Sequence, residues 1–264
     1  MKKILVIGAN SYIGKCFKKF VDNNYKLLLK VEMVSASNGE WENIDFAQYD
    51  VILHLSAIVH KREKKCMMKM YEKVNYQLAV NSAQKAKKSG VHQFVFMSSA
   101  AVYGNISGCI TSDTIPRPIS LYGKTKLAAE NEILKSQDKD FKVVVLRTPM
   151  VYGKGCKGNY ARLVKLAKYL FLIPNYHNIR SMVSIENLCE FLVNVVVNES
   201  KGVFYPQNDS FVDTCELIEG IRKDLGKKTR RTQCANWIIS ILVKKKGGIF
   251  QKIFGDFYYD KSLI

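Results

Sequence analysis

The sequence predicts an α/β fold built on a doubly wound parallel sheet. Three observations carry that expectation. Short apolar runs alternate along the chain with segments whose apolar residues recur at helical spacing. The first run, residues 3–7, feeds a glycine turn at Gly8 and then an amphipathic stretch marked by Phe17, Phe20 and Val21. Finally, 264 residues with 47% hydrophobic content suffice for one large domain with a modest appendage and argue against extensive disorder.

Taken in order, buried strands are expected at residues 3–7, 31–35, 51–55, 94–97 and 143–146, each an apolar run of strand length. Between the third and fourth, Tyr71, Val74, Leu78, Ser82 and Ala86 recur at helical spacing and predict one long helix packed on the sheet. Residues 104–120, rich in Gly, Ser, Thr and Pro, read as a loop and a natural place for substrate to enter. After Pro149 the pattern changes. Residues 159–171 read as a helix, and 184–197 as another, with Ile185, Leu188, Leu192, Val195 and Val196 apolar. The run from Trp237 to Val243, followed by three lysines, predicts a core or dimer helix with a basic end. An interfacial anchor is the alternative.

A net charge of +18 invites a nucleic-acid reading. The lysines are spread along the chain, however, including 61–65, 85–88, 227–231 and 244–246, and read as solvated faces with no recognisable nucleic-acid motif. No nucleic-acid partner is expected. A basic surface suits an anionic nucleotide or an acidic membrane face. No run approaches the ~18–20 apolar residues that span a bilayer, so no transmembrane segment is expected. Met1-Lys2-Lys3 runs directly into a strand, and no secretory leader is expected either. The seven cysteines are odd in number, scattered and free of CxxC spacing, which predicts reduced thiols, no metal site and a cytoplasmic protein.

Two constellations carry chemistry. Tyr122 and Lys126 are four residues apart, so a helix stacks them on one face. A phenol normally titrates near pH ~10, and an adjacent ammonium lowers that value, which makes a tyrosine usable as acid or base at neutral pH. Ser99 ends the fourth apolar run and is placed to offer a hydroxyl to the same reacting oxygen, with Ser98 the alternative. The second constellation is the N-terminal turn. Gly8 permits a tight bend, Gly14 lets the helix pack close to the strand, and the helix N-terminus receives a pyrophosphate. His54, inside an apolar run, and His60 read as structural or peripheral.

These motifs resemble those of the extended short-chain dehydrogenase/reductases, in particular the nucleotide-sugar epimerase/dehydratase branch, well up to about residue 190 and loosely beyond it. The resemblance implies a Rossmann sheet domain over residues 1–150, with 179–200 packing back on it. It also implies a small discontinuous C-terminal substrate-binding lobe made of 151–178 and 201–264. The family's GxxGxxG maps onto Gly8, Ser11 and Gly14, with Ser11 a departure that a small side chain makes tolerable. The implied cofactor is NAD, with NADP left open. Its implied contacts are Gly8, Asn10, Ser11, Tyr12, Ile13, Gly14, Asp45, Leu55, Ser56, Ala57, Asn75, Tyr122, Lys126 and Pro149. Asp45 resembles the family aspartate near adenine, and Asn75 the helix asparagine that braces the active site. Glu32 lies at about the distance from Gly8 expected of a ribose-binding carboxylate, yet alternation places it inside the second strand. A strand ending at Ser35-Ala36-Ser37 leaves no carboxylate to oppose a 2′-phosphate.

The implied activity is 4-epimerisation of a UDP-hexose or UDP-N-acetylhexosamine by transient oxidation at C4, for surface-polysaccharide precursors. Tyr122 takes the proton, Lys126 holds the nicotinamide ribose and depresses the tyrosine's pKa, and Ser99 steadies the reacting oxygen. Ser99, Tyr122, Asn159 and Arg180 are the implied substrate contacts, the last two toward the nucleotide diphosphate. A 4-keto reductase of a UDP- or dTDP-linked deoxysugar uses the same three residues and stays open. So does a dinucleotide-binding regulator without catalysis, although such proteins typically lose the tyrosine or lysine retained here. Elimination of water is not expected, because Ala100 and Ala101 stand where 4,6-dehydratases carry Asp-Glu. A homodimer is compatible with all of these.

Overall fold

Apolar runs buried on both sides set the frame. The computed structural model describes residues 1–37, 39–59, 63–234, 236–244 and 249–263. The chain opens with β1 (Lys2–Ile7), α1 (Tyr12–Asn24), β2 (Leu29–Val34) and a single turn, α2 (Glu40–Asn43). It continues through β3 (Val51–His54), α3 (Met68–Tyr71), α4 (Leu78–Lys88), β4 (Gln93–Met97), β5 (Gly108–Ile110), α5 (Leu121–Lys135) and β6 (Lys142–Leu146). There follow β7 (Met150–Tyr152), α6 (Asn159–Tyr169), β8 (Leu172–Pro174), β9 (Met182–Ser184), α7 (Ile185–Val197) and β10 (Gly202–Phe204). The last elements are α8 (Thr214–Asp224), β11 (Arg230–Thr232), α9 (Asn236–Lys244), α10 (Ile249–Phe254) and β12 (Phe257–Tyr259).

The chain divides into two compact units. The first comprises residues 1–104, 116–149 and 185–206 and holds a six-stranded sheet in the order β10-β6-β4-β3-β1-β2, parallel throughout. Both faces are covered, which is why Ile4 to Ile7, Phe94 to Phe96 and Val143 to Leu146 are sealed from solvent. One face packs on α4 and α5 through Ala79, Ala83, Ala86, Ala129 and Ile133, whose small or slim side chains let the helices close on the strands. α1 and α7 pack against each other and bury Phe17, Val21, Leu188 and Leu192. After β1 the chain adds β2 on one side and β3 on the other. The carboxyl ends of β1 and β3 therefore form a topological switch point, where open sheets of this kind bind ligands.

The second unit comprises residues 105–115, 150–184 and 207–264. Three two-stranded parallel ladders, β5–β12, β7–β9 and β8–β11, accompany α6, α8, α9 and α10. Its core gathers Leu163, Ala167, Ile173, Cys215, Ile218, Ile221, Ile239 and Phe254.

Several expectations change here. Residues 105–115 leave the 1–150 domain, because β5, inside the expected loop, pairs with β12. Residues 179–184 also belong to the second unit: β9 pairs with β7, and Arg180 bridges Val212 and Phe257. Conversely, 201–206 join the sheet through β10, which pairs with β6. The single long helix is interrupted. Residues Glu72–Gln77 form a π-helical turn between α3 and α4, a widening that often marks a functional site. The expected 159–171 helix stops at Tyr169, giving way to β8. His60, Lys61, Arg62, Lys245 and Lys246 lie outside the described residues.

Candidate active site

The turn after β1 is shaped for a close-approaching anion. Gly8 has φ +130°, and a Cβ there would sit 3.3 Å from the Ser56 backbone nitrogen at the end of β3. Ser11 caps α1: its backbone is extended and its Oγ accepts from the Gly14 N–H at 3.2 Å. No positive φ is required at that position, which explains why a serine serves where the family pattern has glycine. A Cβ at Gly14 would press within 3.2 Å of Val6 and Leu55 side chains, so α1 crosses the sheet as closely as glycine allows. Asn10 is exposed, and Tyr12 and Ile13 are half-buried in the first turn. Leu55, Ser56 and Ala57 continue from β3 at the same end of the sheet, and Pro149 lies buried after β6. This cradle and helix N-terminus fit a dinucleotide pyrophosphate.

At the dinucleotide end, Asp45 and Glu32 both hold partners within the protein. Asp45 is exposed and caps a short turn, accepting from the Ala47 N–H at 3.0 Å. The Glu32 carboxylate is engaged by the Tyr49 hydroxyl at 2.7 Å and by Lys30 at 2.7 Å. β2 ends at Val34, and Ser35 and Ser37 bond each other beyond it at 2.9 Å.

At the end of β4 the two serines diverge. Ser98 is buried and its Oγ donates to the buried Glu130 carboxylate, which Arg147 clamps from Nε at 3.1 Å and from its terminal nitrogen at 2.9 Å. Ser99 is half-buried, accepts from the Ala101 N–H at 3.2 Å and acts on the Tyr122 phenol, favouring its ionised form. Tyr122 lies in the first turn of α5. Ser120 caps that turn by accepting from Gly123 N–H at 3.0 Å. Glu63 adds a second cap that sequence reasoning missed: its two oxygens accept from the N–H groups of Leu121 at 2.8 Å and Tyr122 at 3.0 Å. A carboxylate there also complements the helix dipole.

Lys126 follows one turn along, 1% exposed, donating to the Met97 carbonyl at 2.7 Å and lying 4.3 Å from the Phe96 ring centre. Burial pulls its ammonium down to about 7, against the attraction of Glu130. The expectation that Lys126 lowers the Tyr122 pKa is not met. Burial pushes the phenol up to about 12, Ser99 works only partly against it, and Tyr71 adds to the rise. The physical reason is direction: the lysine's charge is spent on the Met97 carbonyl and Glu130.

Asn75, in the π turn, braces this arrangement. Its side chain accepts from Ile58 N–H at 2.7 Å, donates back to Ile58 O at 3.2 Å and reaches Thr125 of α5 at 3.5 Å. His54 is fully buried beside Phe94 and Phe96, bonded to Ser82 at 3.0 Å and driven down to about 3 by burial, so it stays neutral. In the second unit, Asn159 is exposed at the first position of α6. Arg180 is half-buried, donates to Gly255 O at 2.6 Å and is lowered by burial to about 10.

Similarity to known proteins accords with this geometry. The model of the NAD dependent epimerase/dehydratase family matches residues 4–203. A UDP-glucose 4-epimerase of Vibrio cholerae is 28% identical over 98% of this chain and 83% of that protein. The N-acetyl-alpha-D-glucosaminyl-diphospho-ditrans,octacis-undecaprenol 4-epimerase of Escherichia coli O157:H7 is 24% identical over 85% of this chain and 73% of its own. Among solved structures, a Bacillus cereus UDP-glucuronic acid 4-epimerase in complex with NAD aligns with a TM-score of 0.70 at 21% identity, covering 87% of this chain and 86% of that one.

Proposed function

The chain belongs to the NAD-dependent epimerase/dehydratase family, and on that footing we propose that it is a nucleotide-sugar 4-epimerase acting on a UDP-hexose or UDP-N-acetylhexosamine. The observation that carries the reading is the placement of Ser99 after β4, Tyr122 in the first turn of α5 and a buried Lys126 one turn along that helix. The Vibrio cholerae 4-epimerase, similar over nearly the whole chain, supports the reaction type. The Escherichia coli relative, named for a carrier-linked N-acetylglucosamine, supports a role in surface-polysaccharide precursors.

The turn from Gly8 to Gly14 would hold the pyrophosphate, the residues after β3 and Pro149 would flank the dinucleotide, and Lys126 would meet the nicotinamide ribose. Hydride transfer at C4 is the chemistry that a bound nicotinamide supplies. Ser99 donates to the C4 oxygen and stabilises the charge that develops on it. Tyr122 removes the proton from that oxygen and returns it after the sugar has turned. Asn159 and Arg180 are assigned to the nucleotide diphosphate. Because no carboxylate stands at residues 35–37, the reading includes NAD with tolerance of NADP.

A cytoplasmic homodimer completes the reading, with a second copy packing on the groove where Glu72 and Lys124 stand among Met68, Tyr76, Leu121 and Ala128. Purified protein incubated with UDP-glucose or UDP-N-acetylglucosamine, without added cofactor, is expected to yield the C4 epimer. Consumption of NADPH only when a 4-keto sugar nucleotide is supplied would replace the epimerase by a reductase. Dinucleotide binding without either turnover would make the protein a regulator.

A further inference from the structure

Helix α9 is apolar on two opposite sides. Ile239 is 5% exposed and joins the second unit's core, with Val243 one turn on packed against the same cluster. Trp237, Ile238 and Ile241 fall on the other side at helical spacing and are 65%, 42% and 61% exposed. A surface helix ordinarily turns polar residues outward, so this outer stripe requires a cover. The nearby sequence says which cover. From Leu225 to Lys252 there are eight lysines or arginines and no aspartate or glutamate. Lys244 lies three residues beyond Ile241 and seven beyond Trp237, on the same exposed stripe, and Lys228, Arg230 and Lys252 are also exposed.

We propose that α9 docks the second unit onto an anionic lipid bilayer. Trp237, Ile238 and Ile241 enter the boundary between headgroups and acyl chains, and Lys244 on the same stripe pairs with lipid phosphates. Tryptophan favours that boundary because its ring is apolar while its N–H stays near water. The helix lies in the membrane plane: it has nine residues, and no helix among the described residues is long and apolar enough to cross a membrane. A second copy packed face to face through α9 would have to desolvate Lys244 with no carboxylate between residues 225 and 252 to pair it, which disfavours that occupant.

The test is flotation of the full-length protein with phosphatidylglycerol–phosphatidylcholine vesicles, read together with tryptophan emission. The chain has two tryptophans, and Trp41 is 5% exposed in the sheet core, so a vesicle-dependent blue shift reports Trp237. Binding with a blue shift is expected, weakening as salt rises. Replacing Lys244, Lys245 and Lys246 by Gln should weaken it on the order of 100-fold. The Trp237→Ser/Ile241→Ser double variant should abolish it with an unchanged thermal midpoint. No binding, or equal salt-independent binding to phosphatidylcholine alone, would overturn the proposal. So would an emission that shifts with protein concentration in the absence of vesicles, which would mean that a second copy covers α9. None of these readouts depends on turnover, so the docking and the epimerase reading stand or fall separately.

Discussion

Ser98 and Ser99 are neighbours with opposite surroundings. The first is committed to the buried Glu130–Arg147 pair, and the second faces Tyr122. Ser98→Ala is therefore expected to cost about 1–3 kcal/mol of stability, read from denaturant midpoints, with kcat nearly unchanged. Ser99→Ala should do the reverse, lowering kcat by about 100-fold at little cost in stability. Lys126 offers a pH signature. Its folded value of about 7 lies below the 10.5 of an ordinary lysine, so between those values the unfolded chain holds a proton that the folded chain has released. Stability attributable to this group consequently rises with pH across that window. A Lys126→Met variant should be more stable than the parent at neutral pH, and its margin should narrow by about 2 kcal/mol between pH ~7 and ~9, measured without cofactor. A constant margin would show that the lysine is not desolvated.

At the scale of elements, the placement of Tyr122 depends on how closely α5 approaches the turn after β4. A Cβ at Gly123 would lie 2.5 Å from the Ala101 carbonyl oxygen, which is backbone and unable to yield cheaply. Gly123→Ala should destabilise the protein by about 1–3 kcal/mol and lower kcat as well, because Ser99 and Tyr122 are forced apart. Glu63→Gln should cost about 1 kcal/mol, seen as a lower thermal midpoint, by removing a charge from the N-terminus of α5. The two caps also show what is legible in a sequence. Ser120 stands one residue before the helix and follows the local capping rule, whereas Glu63 is 57 residues upstream of Leu121's immediate predecessor Ser120 and reaches the helix only through the folded chain. The direction of the Lys126 side chain was illegible for the same reason. Four-residue spacing fixes a shared face, but a carbonyl on β4 decides where the ammonium points.

Across the whole molecule, legibility followed burial. β1, β3, β4 and β6 are continuous apolar runs because both faces of the sheet are covered, and their positions can be read within a residue or two. β5, β7 to β9, β11 and β12 are three residues each and pair with distant partners, so no alternation marks them. That is why 105–115 read as a loop and why the unit boundaries shifted. The 237–243 run read correctly as apolar helix, but periodicity carries no information about which stripe the core claims, and Trp237 lies outside it. On the proposed mechanism, one chain carries out oxidation and reduction at C4 on a single bound sugar, with Tyr122 moving the proton. Incubating the protein with UDP-glucose deuterated at C4 tests it most directly. UDP-galactose that retains the deuterium at C4 is expected, with at least about 100-fold slower conversion by Tyr122→Phe and dinucleotide binding intact. Loss of the deuterium to solvent, or full activity in Tyr122→Phe, would contradict it.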